Sequence, residues 1–433
     1  MKAQTIHLVQ PIRALSVVIL AVAASVVVAA TAQAFPTQQP DQCVPKFNSG
    51  KILDIEDHNL GPLVAGEGIG GLHWMTPSFC GISRTYPVGT SHDAIVYDND
   101  VVTGASGNKL QRWDRNNTSS PVWSTDFGGE VRSIEYVPGT TRAVVSGWNS
   151  EQPMVIVDLR DGRIVRRPDI NGYIFGADLS PDGTRLVIIG KKMIIEGDAS
   201  RPHIAVMGVS ATARPWLRNW DLPKANFHCG RMDKNDPNSD PNPNLAYIRD
   251  VEWAPAGTSQ SGNFIFVTTG IQSSSTRGYC DRVVMANGRS NQVIEPDWVN
   301  RTCGDTVTSV AWSPNGRYAA VGGHFKCLEW KTGGARDYGA DRNNPWTRSN
   351  SNGDMRDRNN RMGMAILHTG QGNLHGARRD MCRAYGAEAM TWTTNWLAVG
   401  KDCGTYGNNE GSNLHPEDMT PTINVGRLMV FHD

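Results

Sequence analysis

The chain has 433 residues, with 42 Lys or Arg against 42 Asp or Glu, and so carries no formal net charge at neutral pH. That balance lacks the basic footprint of a general nucleic-acid binder. Beyond residue 34 no apolar run is long enough to span a bilayer.

Residues 1–34 read as a secretion signal. Lys2 and Arg13 give a positive start, an apolar stretch follows over 14–30, and Ala32-Gln33-Ala34 is a small-residue cleavage site. A lone membrane anchor fits less well, because the run is Ala-rich and ends in that site. Cleavage would leave 40 basic and 42 acidic residues in a secreted or periplasmic protein that makes no further use of a membrane. All eight Cys lie beyond the signal, which suits an oxidising compartment.

The rest of the chain repeats one unit. Its clearest copy is VTSVAWSPNGRYAAVGGHF, residues 307–325: an apolar strand of period two, a Pro-Asn-Gly turn, and a second strand ending in glycine. In chain order the copies cover 94–104, 131–147, 174–190, 248–270, 307–325 and 387–400. They align Tyr97, Tyr136, Leu179, Trp253, Trp312 and Trp392 in one column. Gly104, Gly147, Gly190, Gly270, Gly322 and Gly400 form a second. Third strands are expected at 109–115, 154–163, 203–210, 281–288, 364–370 and 427–433, with fourth strands at 121–127 and 164–170.

Strand, Ser-Pro-Asp/Asn-Gly turn, glycine-ended strand and then Trp-Asp or Val-Asp-Leu resembles a WD40-type β-propeller repeat, and Trp113-Asp114 stands where that family has its Trp-Asp pair. VGGHF, residues 321–325, also resembles secreted bacterial propellers with GG-[HD]-F repeats. The Gly-His dipeptide that precedes the first strand in the WD40 family is absent. The resemblance implies an all-β fold: a single closed propeller over 90–433, of six blades, with seven as the alternative if 44–75 or a long insertion hides a degenerate one. The chain ends on a third strand, so the segment 35–89 is expected to close the ring, with residues 80–87 or a neighbouring stretch as the missing fourth strand.

The turns between first and second strands are short, whereas long insertions at 223–247, 271–280, 324–361 and 401–425 all fall on the opposite face. Long loops on a rigid scaffold are where binding sites concentrate. The insertion at 324–361 is basic and aromatic, that at 401–425 acidic. The candidate binding residues are therefore His324, Glu329, Trp330, Tyr338, Trp346, Arg348, Tyr406 and His415, with no catalytic residue singled out. Repeat-equivalent cysteine positions pair Cys280 with Cys303, Cys327 with Cys382 and Cys80 with Cys403, which leaves Cys43 with Cys229. No C-x₂-C spacing argues for a thiolate metal site. No cofactor is expected, although residues 233–244, DKNDPNSDPNPN, carry oxygen ligands of the kind that hold Ca²⁺.

No nucleophile elbow, zinc-protease, P-loop or dinucleotide signature occurs. The expectation is a monomeric, non-catalytic scaffold that binds a protein or an extracellular polysaccharide through its loop-rich face. The alternative is a carbohydrate-active hydrolase or lyase with Glu329, Asp337, Asp402 or Glu417 at the channel mouth.

Overall fold

The computed structural model describes residues 47, 51–195, 204–209, 217–220, 246–270, 282–289, 292–293, 299–302, 307–325, 328–329, 362–370, 374–378, 386–402 and 426–432. All lie in the unit Phe35–Asp433. Among them there is no helix, and the strands pair antiparallel throughout.

The repeated hairpin forms for local reasons. In Ser313-Pro314-Asn315-Gly316 the Gly316 N–H donates to the Ser313 carbonyl at 2.8 Å, and the Ser313 hydroxyl accepts the Tyr318 N–H at 2.9 Å. Gly316 has φ 66°, a left-handed turn position that glycine takes without strain. Ser180-Pro181-Asp182-Gly183 repeats the arrangement. The second-strand glycine has a different cause. A Cβ on Gly147 would lie 1.9 Å from the Glu130 carbonyl oxygen, because a register shift beside it presses the first strand onto the second.

The described strands form seven sheets. Sheet 1 is Lys51–Glu56, Leu63–Glu67, Leu72–Met75 and Ile82–Tyr86. Sheet 2 is Ala94–Tyr97, Asp100–Ala105, Lys109–Trp113 and Trp123–Asp126. Sheet 3 is Glu130–Tyr136, Arg142–Trp148, Met154–Asp158 and Ile164–Arg166. Sheet 4 is Ile170–Leu179, Arg185–Ile195, Ile204–Gly208 and Leu217–Trp220. Sheet 5 runs Ala246–Trp253, Asn263–Gly270, Arg282–Asn287, Val299–Thr302 and Leu328–Glu329, with Gln292–Val293 also paired to its third strand. Sheet 6 is Val307–Trp312, Tyr318–Phe325, Met362–His368 and Leu374–Arg378. Sheet 7 is Gly386–Trp392, Trp396–Asp402 and Gly426–His432.

Two expectations change here. Residues 82–86 do not add a strand to the C-terminal sheet; they pair with Leu72–Met75. Residues 51–86 make a four-stranded sheet of their own, which overlaps the 44–75 stretch named as a possible degenerate unit. Its second strand ends in the familiar way, since a Cβ on Gly66 would meet the Lys51 carbonyl oxygen at 2.0 Å. The start of the 324–361 insertion also differs from a free loop. Leu328–Glu329 pairs with Val299–Thr302 at the edge of sheet 5.

The first strands of the sheets lie against one another in chain order, and Gly386–Trp392 lies against Lys51–Glu56. Apolar clusters fill the spaces between consecutive sheets. Trp312, Val310 and Val307 of sheet 6 meet Ile265, Val267 and Met285 of sheet 5. Ile52, Ile55 and Phe79 of the first sheet region meet Ala389, Trp396 and Val430 of sheet 7. A fully buried aliphatic side chain of this kind contributes about 1.5–3 kcal/mol of transfer free energy.

Candidate functional site

The first strands surround a cavity of about 570 Å³. Seven carboxyl groups line it: Asp54 and Glu56 from sheet 1, Asp93 just before sheet 2, Glu135 from sheet 3, Asp178 from sheet 4, and Asp250 and Glu252 from sheet 5. Arginine side chains are fewer there, Arg132 and Arg249, and His92 lies beside them. Among the described residues no three His, Cys, Asp or Glu side chains converge as a metal-ligand set.

The carboxyl groups tie neighbouring first strands together. Asp54 accepts the Ala94 N–H at 3.2 Å, Asp93 accepts the Ile134 N–H, and Asp250 accepts the Val310 N–H at 2.9 Å. Two residues further along, Glu135 accepts the Leu179 N–H at 3.4 Å, Asp178 the Trp253 N–H, and Glu252 the Trp312 N–H at 2.9 Å. The aligned tryptophans return the favour to the same strands. Trp253 Nε1 donates to the Asp178 carbonyl at 2.9 Å, and Trp312 Nε1 to the Glu252 carbonyl at 3.0 Å. Glu56 is the exception, with no hydrogen bond to any described residue.

Burial disfavours the charged form of every one of these groups. It pushes Asp54 up to about 6, and Glu135 and Asp250 up to about 7, against the backbone hydrogen bonds that favour ionisation. Burial and then neighbouring carboxylates hold Glu56, Asp93, Asp178 and Glu252 well above the ordinary carboxyl range.

One rim of the cavity is different. Trp148, the last residue of the second strand of sheet 3, is 46% exposed, and Tyr173, near the start of sheet 4, is 37% exposed. Trp148 meets Tyr173 and Phe175 edge-on, at 6.3 and 6.2 Å between ring centroids. The Arg132 guanidinium stacks on Trp148 at 4.9 Å and binds Glu130 at 2.8 Å. Glu130 also pairs with His92. Phe175, Arg132 and His92 all line the cavity, so this aromatic ledge adjoins its wall.

Of the binding residues expected from sequence, His324 falls in the strand Tyr318–Phe325, and Glu329 on the edge strand of sheet 5. Glu329 is thus on the strand of its sheet furthest in pairing order from Ala246–Trp253. Asp402 ends the second strand of sheet 7. Trp330, Tyr338, Trp346, Arg348, Tyr406 and His415 lie outside the described residues, as do Asp337, Glu417 and the Asp/Asn-rich stretch 233–244. Cys80 is the one described cysteine and is disulfide-bonded. The other seven cysteines, and so every expected pairing, lie outside the described residues. The carboxyl ring and the ledge were missed. A repeating acid beside the aligned aromatic column was there to read: Glu135 before Tyr136, Asp178 before Leu179 and Glu252 before Trp253.

No protein-family model and no curated protein matches the chain. Solved structures do. Hydrazine synthase of Kuenenia stuttgartiensis aligns over 82% of this chain and 94% of its own, at 10% identity and TM-score 0.53. A chain of a mitotic checkpoint complex aligns over 100% and 97%, at 11% identity and TM-score 0.51. The WD40 repeats of RRP9 align over 92% and 99%, at 9% identity and TM-score 0.52. At these identities the likeness speaks to fold alone, and the fold is a WD40-like β-propeller of four-stranded antiparallel sheets.

Proposed function

We propose that this protein is a non-catalytic scaffold that binds a partner protein through the propeller face bearing Trp148 and Tyr173. The observation that carries the reading is the exposed aromatic ledge beside the cavity. Monomers seldom leave large aromatic side chains together at the surface without a use, and such residues dominate protein-binding hot spots. The connections over 271–281, 326–361 and 403–425 leave second-strand ends equivalent to that of Trp148, so the longest stretches of chain start from this same face. Catalysis by the channel acids is disfavoured, because six of the seven are engaged with backbone amides. One of the similar structures belongs to a multiprotein assembly, a mitotic checkpoint complex, which accords with a scaffold role.

The seven sheets are the blades of one closed ring in this reading. The cluster joining Ile52 and Phe79 to Ala389 and Trp396 supports closure between the first and last blades. Export through residues 1–34 belongs to the same proposal, and the disulfide at Cys80 favours an oxidising compartment.

The test is site-specific photocrosslinking in the native host, with benzoylphenylalanine at position 173 or at position 136 at the far end of a first strand. Adducts of defined mass from 173, and none from 136, are expected. Adducts from 136 alone, or from neither site, would overturn the assignment of the face.

A further inference from the structure

We propose that the ring of buried carboxyl groups is a protonation-dependent brace, which holds the first strands together in mild acid and loosens as the pH rises past neutrality. Two observations carry it. Seven carboxyl groups face one cavity of about 570 Å³. Six of them bridge to the backbone of the next first strand. Like charges confined this closely cannot all ionise without cost.

The charged and titratable groups around the brace come from several elements. Sheet 1 supplies Asp54, Glu56 and, past the strand end, Asp57 and His58. The approach to sheet 2 supplies His92 and Asp93. Sheet 3 supplies Glu130, Arg132 and Glu135, sheet 4 Asp178, and sheet 5 Arg249, Asp250 and Glu252. The first strand of sheet 6 has no titratable residue. That of sheet 7 contains Glu388, whose side chain lies outside the described ones. Arg132 is already matched by Glu130, so the carboxyl groups outnumber the cations that face them.

The sign follows from linkage. Native carboxyl groups with raised pKa bind more protons than the unfolded chain does, so stability falls as pH rises through their native values. Those values begin at about 6 for Asp54 and about 7 for Glu135 and Asp250, with the other four well above the ordinary range. His58, His73 and His368 are lowered by burial and oppose this trend up to their unfolded value of 6.5. The window free of that opposition runs from about pH 6.5 to 8.5.

The experiment is thermal unfolding of the mature protein with its disulfides intact, from pH 6.5 to 8.5. Tm should fall by on the order of 5 °C across the window. Glu135→Gln with Asp250→Asn keeps acceptor oxygens for both amides and should flatten the slope. Glu56→Gln breaks no hydrogen bond to a described residue, so it should fold, and it should raise Tm at pH 8.5 with little change at pH 5. Asp126→Asn, at an exposed site, is the control and should leave the slope as it is. A flat or rising wild-type profile would overturn the brace. So would a Glu56→Gln variant no more stable than wild type at pH 8.5.

Discussion

The cavity between the first strands and the aromatic ledge beside it treat their polar and apolar groups in opposite ways. Inside, Glu135, Asp178 and Glu252 are withdrawn from water and engaged with the amides of Leu179, Trp253 and Trp312. At the rim, Trp148 and Tyr173 present aromatic faces to solvent, although Arg132 and Phe175 stand ready to support them. On the proposed scaffold reading, the conspicuous acidic cavity is a structural element and the less conspicuous ledge beside it is the binding surface.

The contrast can be broken from either side. The largest effect is expected from Trp312→Ala, which removes a buried indole and its bond to the Glu252 carbonyl. Urea unfolding should show a loss of about 3–5 kcal/mol; a loss below about 1 kcal/mol would mean that the inner tryptophans do not brace the ring. Next comes Ile52→Ala, at the contact between the first and last sheets. It should cost about 2–5 kcal/mol if the ring is closed there. A single cooperative transition shifted to lower urea is expected, whereas an unchanged midpoint would argue for an open arrangement.

The smallest stability effect should come from the rim. Trp148→Ala forfeits one cation–π contact and two edge-on aromatic contacts at a half-exposed site and should cost about 1–2 kcal/mol. Crosslinking from position 173 should nevertheless be lost in that variant. Retained adducts would move the binding surface elsewhere on the face.

How far the sequence discloses this arrangement depends on which force set each element. The hairpins are legible because local chemistry makes them: Ser313-Pro314-Asn315-Gly316 encodes its own turn, and the apolar alternation around Trp312 names the strands. Third strands at Met154–Asp158, Arg282–Asn287 and Met362–His368 fall where the apolar runs put them. The sheet over 51–86 is harder to see, because its first turn runs through Asp57 to Gly61 without a Pro-Asp-Gly signature, and Gly61 takes φ 114°. The acids were hidden by a reasonable rule. In a half-buried strand, polar residues that alternate with apolar ones are assigned to solvent. Here the other side of the strand faces the next sheet, so Glu135 and Asp178 reach a neighbouring backbone instead of water. The ledge depends on the approach of Trp148 in sheet 3 to Tyr173 in sheet 4, a tertiary contact that neither local segment announces.

The most direct measurement compares two double variants in the same crosslinking experiment, with the probe at a fixed rim position between the sites, residue 175. Trp148→Ala with Tyr173→Ala should lose the partner adduct while Tm at pH 6.5 stays close to wild type. Glu135→Gln with Asp250→Asn should keep the adduct while its Tm profile flattens with pH. Loss of the adduct in the carboxyl variant, with retention in the aromatic one, would contradict the account and place recognition inside the channel.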